Sequence, residues 1–125
     1  MTAPTKPFVE PHMGEAPDDL LIEDLVVGDG AEATAGAQAT VHYVGVAHST
    51  GEQFDASWDR GEAFAFTLGV GQVIAGWDNG VLGMRVGGRR RLVIPPHLGY
   101  GERGAGGAIA PGETLLFVVD LLAVG

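Results

Sequence analysis

Most residue types that carry covalent chemistry are present in this chain, but not in the patterns that chemistry needs. His12, His42, His48 and His97 show no spacing that sets two of them on one helical turn, and there is no cysteine to complete a thiolate site. A metal centre is therefore not expected. No serine stands in the sequence context of a nucleophile elbow, and the carboxylates show no pairing for acid and base work. Gly107-Ala-Ile-Ala-Pro-Gly-Glu-Thr114 imitates a phosphate loop, yet its lysine position is Glu113 and a strand pattern follows where a helix is needed. Gly69-Val-Gly71 opens like a dinucleotide fingerprint, but Ile74 stands where the third glycine belongs.

What remains is a set of aromatic residues beside turns: Tyr43, Phe54, Phe64, Phe66, Trp77, Tyr100 and Phe117. Any one of them could be ordinary core. Phe54, however, is followed at once by Asp55, and Tyr100 lies between Gly99 and Gly101 in a long loop, where binding residues concentrate. In "QVIAGWDNG" and the valine after it, Val73, Ile74, Trp77 and Val81 share a helix face. That stripe is buried, either as plain core or as the wall and floor of an apolar cavity.

Positioning such a cavity requires a scaffold, and the chain reads as strands separated by glycine-rich turns. Leu20 to Val27 is mostly apolar, Gln38 to Ala47 is rich in β-branched and aromatic residues, and Gln53 to Ser57 follows a turn at Ser49-Thr50-Gly51. Ala63 to Leu68 alternates, with Phe64 and Phe66 on one face. Arg89 to Ile94 and Thr114 to Val124 are the last strands. One helix is expected, from about Val73 to Leu82, ended by Gly83. Without βαβ alternation, this predicts an α+β domain: a twisted antiparallel sheet of five to six strands wrapped around one short helix. Arg89-Arg90-Arg91 is the only basic run, and alternation on a strand predicts a solvated face there.

At 125 residues the chain fits one domain, with residues 1–19, which hold four of the seven prolines, expected as a flexible leader before a folded unit at 20–125. The net charge of −9 argues against nucleic acid or an anionic membrane as partner. The N-terminal stretch lacks the basic and apolar regions of a secretion signal, and the apolar run Leu115 to Val124 is about half a membrane span and is interrupted by Asp120. A cytoplasmic location is expected.

The short motifs Val41-His-Tyr-Val-Gly45, Phe54-Asp-Ala-Ser57, Val73-Ile-Ala-Gly-Trp77, Gly80-Val-Leu-Gly-Met84, Tyr100-Gly101 and Ile109-Ala-Pro111 resemble, in order and spacing, the FKBP family in its single-domain, bacterial-like form. These are immunophilin prolyl isomerases that bind tacrolimus and rapamycin. The resemblance spans about residues 20 to 125. It implies a peptidyl-prolyl cis-trans isomerase assisting protein folding, without cofactor, acting as a monomer on proline-containing polypeptides. By the same resemblance Asp55, Tyr100 and Trp77 are catalytic. Tyr43, Phe54, Phe64, Val73, Ile74, Ile109 and Phe117 bind substrate, and Arg60 holds Asp55 in place. The alternative is a catalytically weak proline-binding or chaperone module of the same fold.

Overall fold

Along the second strand, inward Val41 and Tyr43 alternate with outward Val44 and Val46, and all four are buried. A strand covered on both faces belongs at the centre of a sheet. The computed structural model describes residues 5–125 and places it there. The strands are β1 (Leu21–Val26), β2 (Gln38–Ala47), β3 (Gln53–Ala56), β4 (Phe64–Thr67), β5 (Arg89–Ile94) and β6 (Leu115–Val124). They form one six-stranded sheet in the order β1-β5-β6-β2-β3, with β4 also paired to β2. Every pairing is antiparallel.

The arrangement around β2 positions the site. On one side β2 pairs with β6 along its whole length, from Ala39 opposite Val124 to Ala47 opposite Leu115. On the other side it changes partner. Gln38 to Val41 pair with β4, whereas Val44 to Val46 pair with β3. The sheet therefore forks at His42 and Tyr43, and the chain between β3 and β4 leaves the plane as a single helical turn, α1 (Ser57–Arg60).

That turn is a second helix where sequence periodicity predicted only one. Four residues are too few to show a 3.6-residue period, and the turn is closed by Gly61 in the left-handed region, φ 67°. A 3₁₀ turn at Pro96–Leu98 also precedes the long loop.

The predicted helix is shorter than its apolar stripe. α2 spans Ala75–Gly80, and Ile74 before it is extended, with ψ 151°. Val73, in a bend, and extended Ile74 share the stripe but precede the helix. Gly76 and Gly80, four residues apart, let α2 lie directly on β5. A methyl group at either would fall 2.5 Å from Ile94 or 2.8 Å from Leu92. Trp77 and Val81 then join the main core with Leu92, Ile94, Phe66 and Leu121.

The arginine run is not a solvated face. Arg89 pairs with Asp120 at 2.7 Å, and Arg90 pairs with Asp24 while also donating to the Gly80 and Leu82 carbonyls at the end of α2. Arg91 lies by Glu23 and donates to the Glu10 carbonyl. Each guanidinium pairs with a different carboxylate, Arg89 with one on β6 and Arg90 and Arg91 with two on β1, which alternation within one strand could not reveal.

Of the 1–19 stretch, residues 1–4 lie outside the described residues. Residues 5–13 run across the outer face of the sheet. Val9 is 7% exposed there, in a second apolar cluster with Val44, Val46, Val93, Leu116 and Val118. The Thr5 carbonyl accepts from Arg89, and Lys6 pairs with Asp59 of α1. No helix among the described residues is long and apolar enough to cross a membrane.

Candidate active site

Where β2 changes partner, the inward side chain is Tyr43. Its hydroxyl donates to Asp55 Oδ2 on β3 at 2.6 Å and accepts from Arg60 Nη2 at 2.8 Å. Arg60 Nη1 in turn donates to Asp55 Oδ1. These three groups close a ring of hydrogen bonds across the fork, joining β2, β3 and α1. The one-turn helix makes the ring possible, because it brings Arg60 back over Asp55 five residues earlier.

A buried serine locks the same junction from behind. Ser57 is 0% exposed, and its Oγ accepts the Tyr43 N–H at 2.7 Å and lies 2.8 Å from His42 Nδ1. The His42 ring stacks on Trp58 at 4.1 Å. Both lie within motifs that carry the family resemblance, yet neither was singled out as a site residue, since a lone histidine and a lone serine do not show what they bond to.

Burial lifts the Tyr43 phenol above its ordinary 10.0; the bond to Asp55 adds to the rise, while Arg60 opposes it. The Arg60 guanidinium is held still more firmly charged, first by the Tyr43 hydroxyl and then by Asp55. The folded state thus keeps the Tyr43 proton more tightly than the unfolded chain does. Its contribution to stability is complete below pH 10 and is lost as pH rises through the folded value. Alkaline spectrophotometric titration should show a tyrosine ionising late. Tyr43→Phe should remove that step and flatten the alkaline fall in stability; an unchanged late step would mean that the phenol is not held by this ring.

In front of the ring lies a cleft of about 200 Å³. Tyr43, Phe54, Asp55, Phe64 and Phe117 line it from the sheet, Val73 and Ile74 from the approach to α2, and Tyr100 from the long loop. Trp77 closes the bottom, 4% exposed, with ring centroids 4.9 Å from Tyr43 and 5.3 Å from Phe117, both edge to face. Its indole N–H is buried with no partner among the described residues. Two larger clefts, of about 340 and 370 Å³, flank the N-terminal segment on the outer face, where no such aromatic cluster converges.

Nine residues singled out in the sequence therefore meet around one space. Two do not border it. Arg60 stands behind Asp55. Ile109 is 5% exposed within the main core, paired by backbone hydrogen bonds with Ala105, so it braces the long loop. Gln72 lines the cleft and was missed. Its place after the turn and before Val73 was the only signal available.

The Ile74 N–H makes no hydrogen bond among the described residues, and α2 has no side-chain cap. Free N–H groups are what the first turn of a helix offers. Tyr100, which lines the cleft from the long loop, is 41% exposed. No group of three side chains able to hold a metal occurs among the described residues.

An aromatic-walled cleft with a free backbone N–H at its edge residue Ile74, set between an antiparallel sheet and a short helix, is the arrangement of a peptide-binding isomerase fold. The sequence matches the FKBP-type peptidyl-prolyl cis-trans isomerase family over residues 30–122, and the chain belongs to that family. It is 65% identical to an FK506-binding protein of Streptomyces anulatus over 95% of this chain and 97% of the relative. A probable FK506-binding protein of Corynebacterium glutamicum is 52% identical, over 94% of this chain and 97% of its own. The crystal structure of AtFKBP13 superposes with a TM-score of 0.80 at 41% identity, covering 88% of this chain and 96% of that one.

Proposed function

We propose that the cleft at the fork of β2 is where this isomerase turns the X-Pro bonds of its substrates. One observation carries the reading: nine side chains from four strands, α2 and two loops converge on a single aromatic-walled space with Trp77 beneath it.

Resonance opposes rotation about a peptide bond with a barrier of roughly 18–20 kcal/mol. The planar amide is charge-separated, whereas the twisted amide has lost that resonance and is less polar at oxygen. An apolar cleft therefore disfavours the planar form relative to the twisted one. A rate gain of roughly a thousandfold to a millionfold asks for about 4–8 kcal/mol of such preference. No bond is made or broken, so no nucleophile or cofactor is needed.

In this proposal the proline ring rests on Trp77 between Tyr43, Phe64 and Phe117. The free Ile74 N–H and the Tyr100 hydroxyl hold the chain on either side, and Phe54 and Val73 complete the walls. Asp55, oriented by Tyr43 and Arg60, faces the rotating carbonyl. The same proposal gives catalysis to residues 20–125, treats 1–19 as a leader, and takes the protein to act as a cytoplasmic monomer. The net charge of −9 suits a crowded interior and disfavours self-association. Macrolides of the tacrolimus and rapamycin class would compete for the cleft, a reading supported by the relatives' names as FK506-binding proteins.

The test is cis-to-trans relaxation of a short Leu-Pro-Phe peptide, with and without rapamycin. Acceleration that the macrolide abolishes is the expected result. Acceleration that survives saturating macrolide would place turnover elsewhere on the molecule. A folded protein without acceleration would leave a proline-binding module.

A further inference from the structure

The turn that leads into the cleft wall has little of its own to hold it. Gly69, Val70, Gly71 and Gln72 are all exposed, and the two glycines sit at φ of +84° and +78°. Leu68 before the turn is fully buried and Trp77 beyond it nearly so, but nothing from Gly69 to Ala75 is. An exposed stretch of this kind samples many backbone states unless a group outside it closes it.

The closing group is a side chain of α2. Asp78 accepts the Gly69 N–H on Oδ1 at 2.8 Å and the Gly71 N–H on Oδ2 at 3.0 Å. Two N–H groups converging from alternate residues make a concavity suited to an anion, and here the protein's own carboxylate fills it. Hydrogen bonds to an ionised acceptor are roughly twice as strong as neutral ones. A second tie supports the first: Gln72 Oε1 accepts the Thr67 N–H at 2.8 Å, joining the turn to the end of β4.

Asp78 does not border the cleft, but every residue between its two ends does so or leads there. The turn delivers Gln72, Val73 and Ile74 to the wall, and Asp78 is the neighbour of Trp77 at the floor. We infer that Asp78 is a positioning residue for isomerisation, pre-forming the turn so that this wall exists before substrate arrives. The inference rests on the cleft being the substrate site. Its effect falls on affinity. A protein whose competent state is only partly populated binds more weakly by that fraction, whereas substrate already bound holds the turn in place.

Asp78→Asn keeps the size of the side chain but sets an NH₂ against one of the two N–H groups. KM for the peptide and Kd for rapamycin should rise together, by about five- to tenfold, with kcat within about twofold of wild type. The Gly69 and Gly71 amide proton resonances should both shift upfield. Hydrogen exchange on the unaltered protein gives a reading independent of how the variant folds. Both amides should be protected without ligand and change little when rapamycin saturates the site. A lower unfolding midpoint with KM and Kd unchanged would overturn the inference, as would open-chain exchange at Gly69 and Gly71 in the free protein. If wild type neither binds rapamycin nor accelerates the peptide, the cleft reading falls and takes this inference with it, whereas normal wild-type behaviour with an indifferent variant removes only the role of Asp78.

Discussion

Trp77→Ala should lower the free energy of unfolding by about 3–5 kcal/mol, the range for emptying a large aromatic site in a packed core. The ring is 4% exposed and touches four others. Tyr43, Phe117 and Phe64 meet it edge to face, and Phe66 is tilted at 5.7 Å. Such pairs add about 0.5–1.5 kcal/mol beyond area burial. Small domains hold only about 5–15 kcal/mol in all, so the loss is a large share of stability. Urea unfolding followed through the remaining Trp58 would measure it. A midpoint shift worth under about 1 kcal/mol would show that the floor is not packed as described. Trp77→Phe separates the two roles of the ring. It should restore most of the stability and still weaken rapamycin binding, because a smaller floor leaves the proline site deeper than its ligand.

Gly45→Ala should cost activity in a protein that still folds. Gly45 faces inward on β2, opposite Phe117 on β6 and Asp55 on β3. A methyl group there would fall 2.6 Å from Phe117 and 2.7 Å from Phe54. Those two rings stand perpendicular, 5.5 Å apart, and form part of the cleft wall. To admit the methyl both must turn, and overpacking of this kind typically costs about 1–3 kcal/mol. The displaced rings must move into the space the substrate uses. We expect kcat/KM for the Leu-Pro-Phe peptide to fall by at least about tenfold in a variant that still unfolds cooperatively, since a small misplacement at a binding site can cost far more than its strain. Activity within about twofold of wild type would show that Phe54 and Phe117 do not shape the substrate site.

How much of this was legible depended on whether the signal was local. The β-branched and aromatic content of Gln38 to Ala47 located β2 to the residue, and the stretch Arg89 to Ile94 located β5. The stripe of Val73, Ile74, Trp77 and Val81 correctly marked a face turned to the core, yet it overstated the helix by including Val73, which lies in a bend, and Ile74, which is extended. A shared stripe records burial, and the chain entering a helix can bury the same side as the helix itself. α1 was invisible because one turn has no period. Gly45 had no sequence signal as a shaper of the cleft, since a glycine in a strand looks the same whether its missing side chain makes room for a ring or for nothing.

The sequence alone was enough for the class of fold, the aromatic walls and floor, and the family, because strand period, helix stripe and motif spacing are written within short stretches of chain. Only the tertiary structure decided where β2 changes partner, how Asp55, Tyr43 and Arg60 close a ring across that fork, and why Ile109 braces the loop from the core. It also decided that the three arginines reach three different partners. Those outcomes join residues from 5 to 84 positions apart, as in the bonds of Arg60 to Asp55 and of Arg89 to Thr5. Periodicity states which face of an element is buried, whereas what that face meets is settled when distant segments compete for the same space.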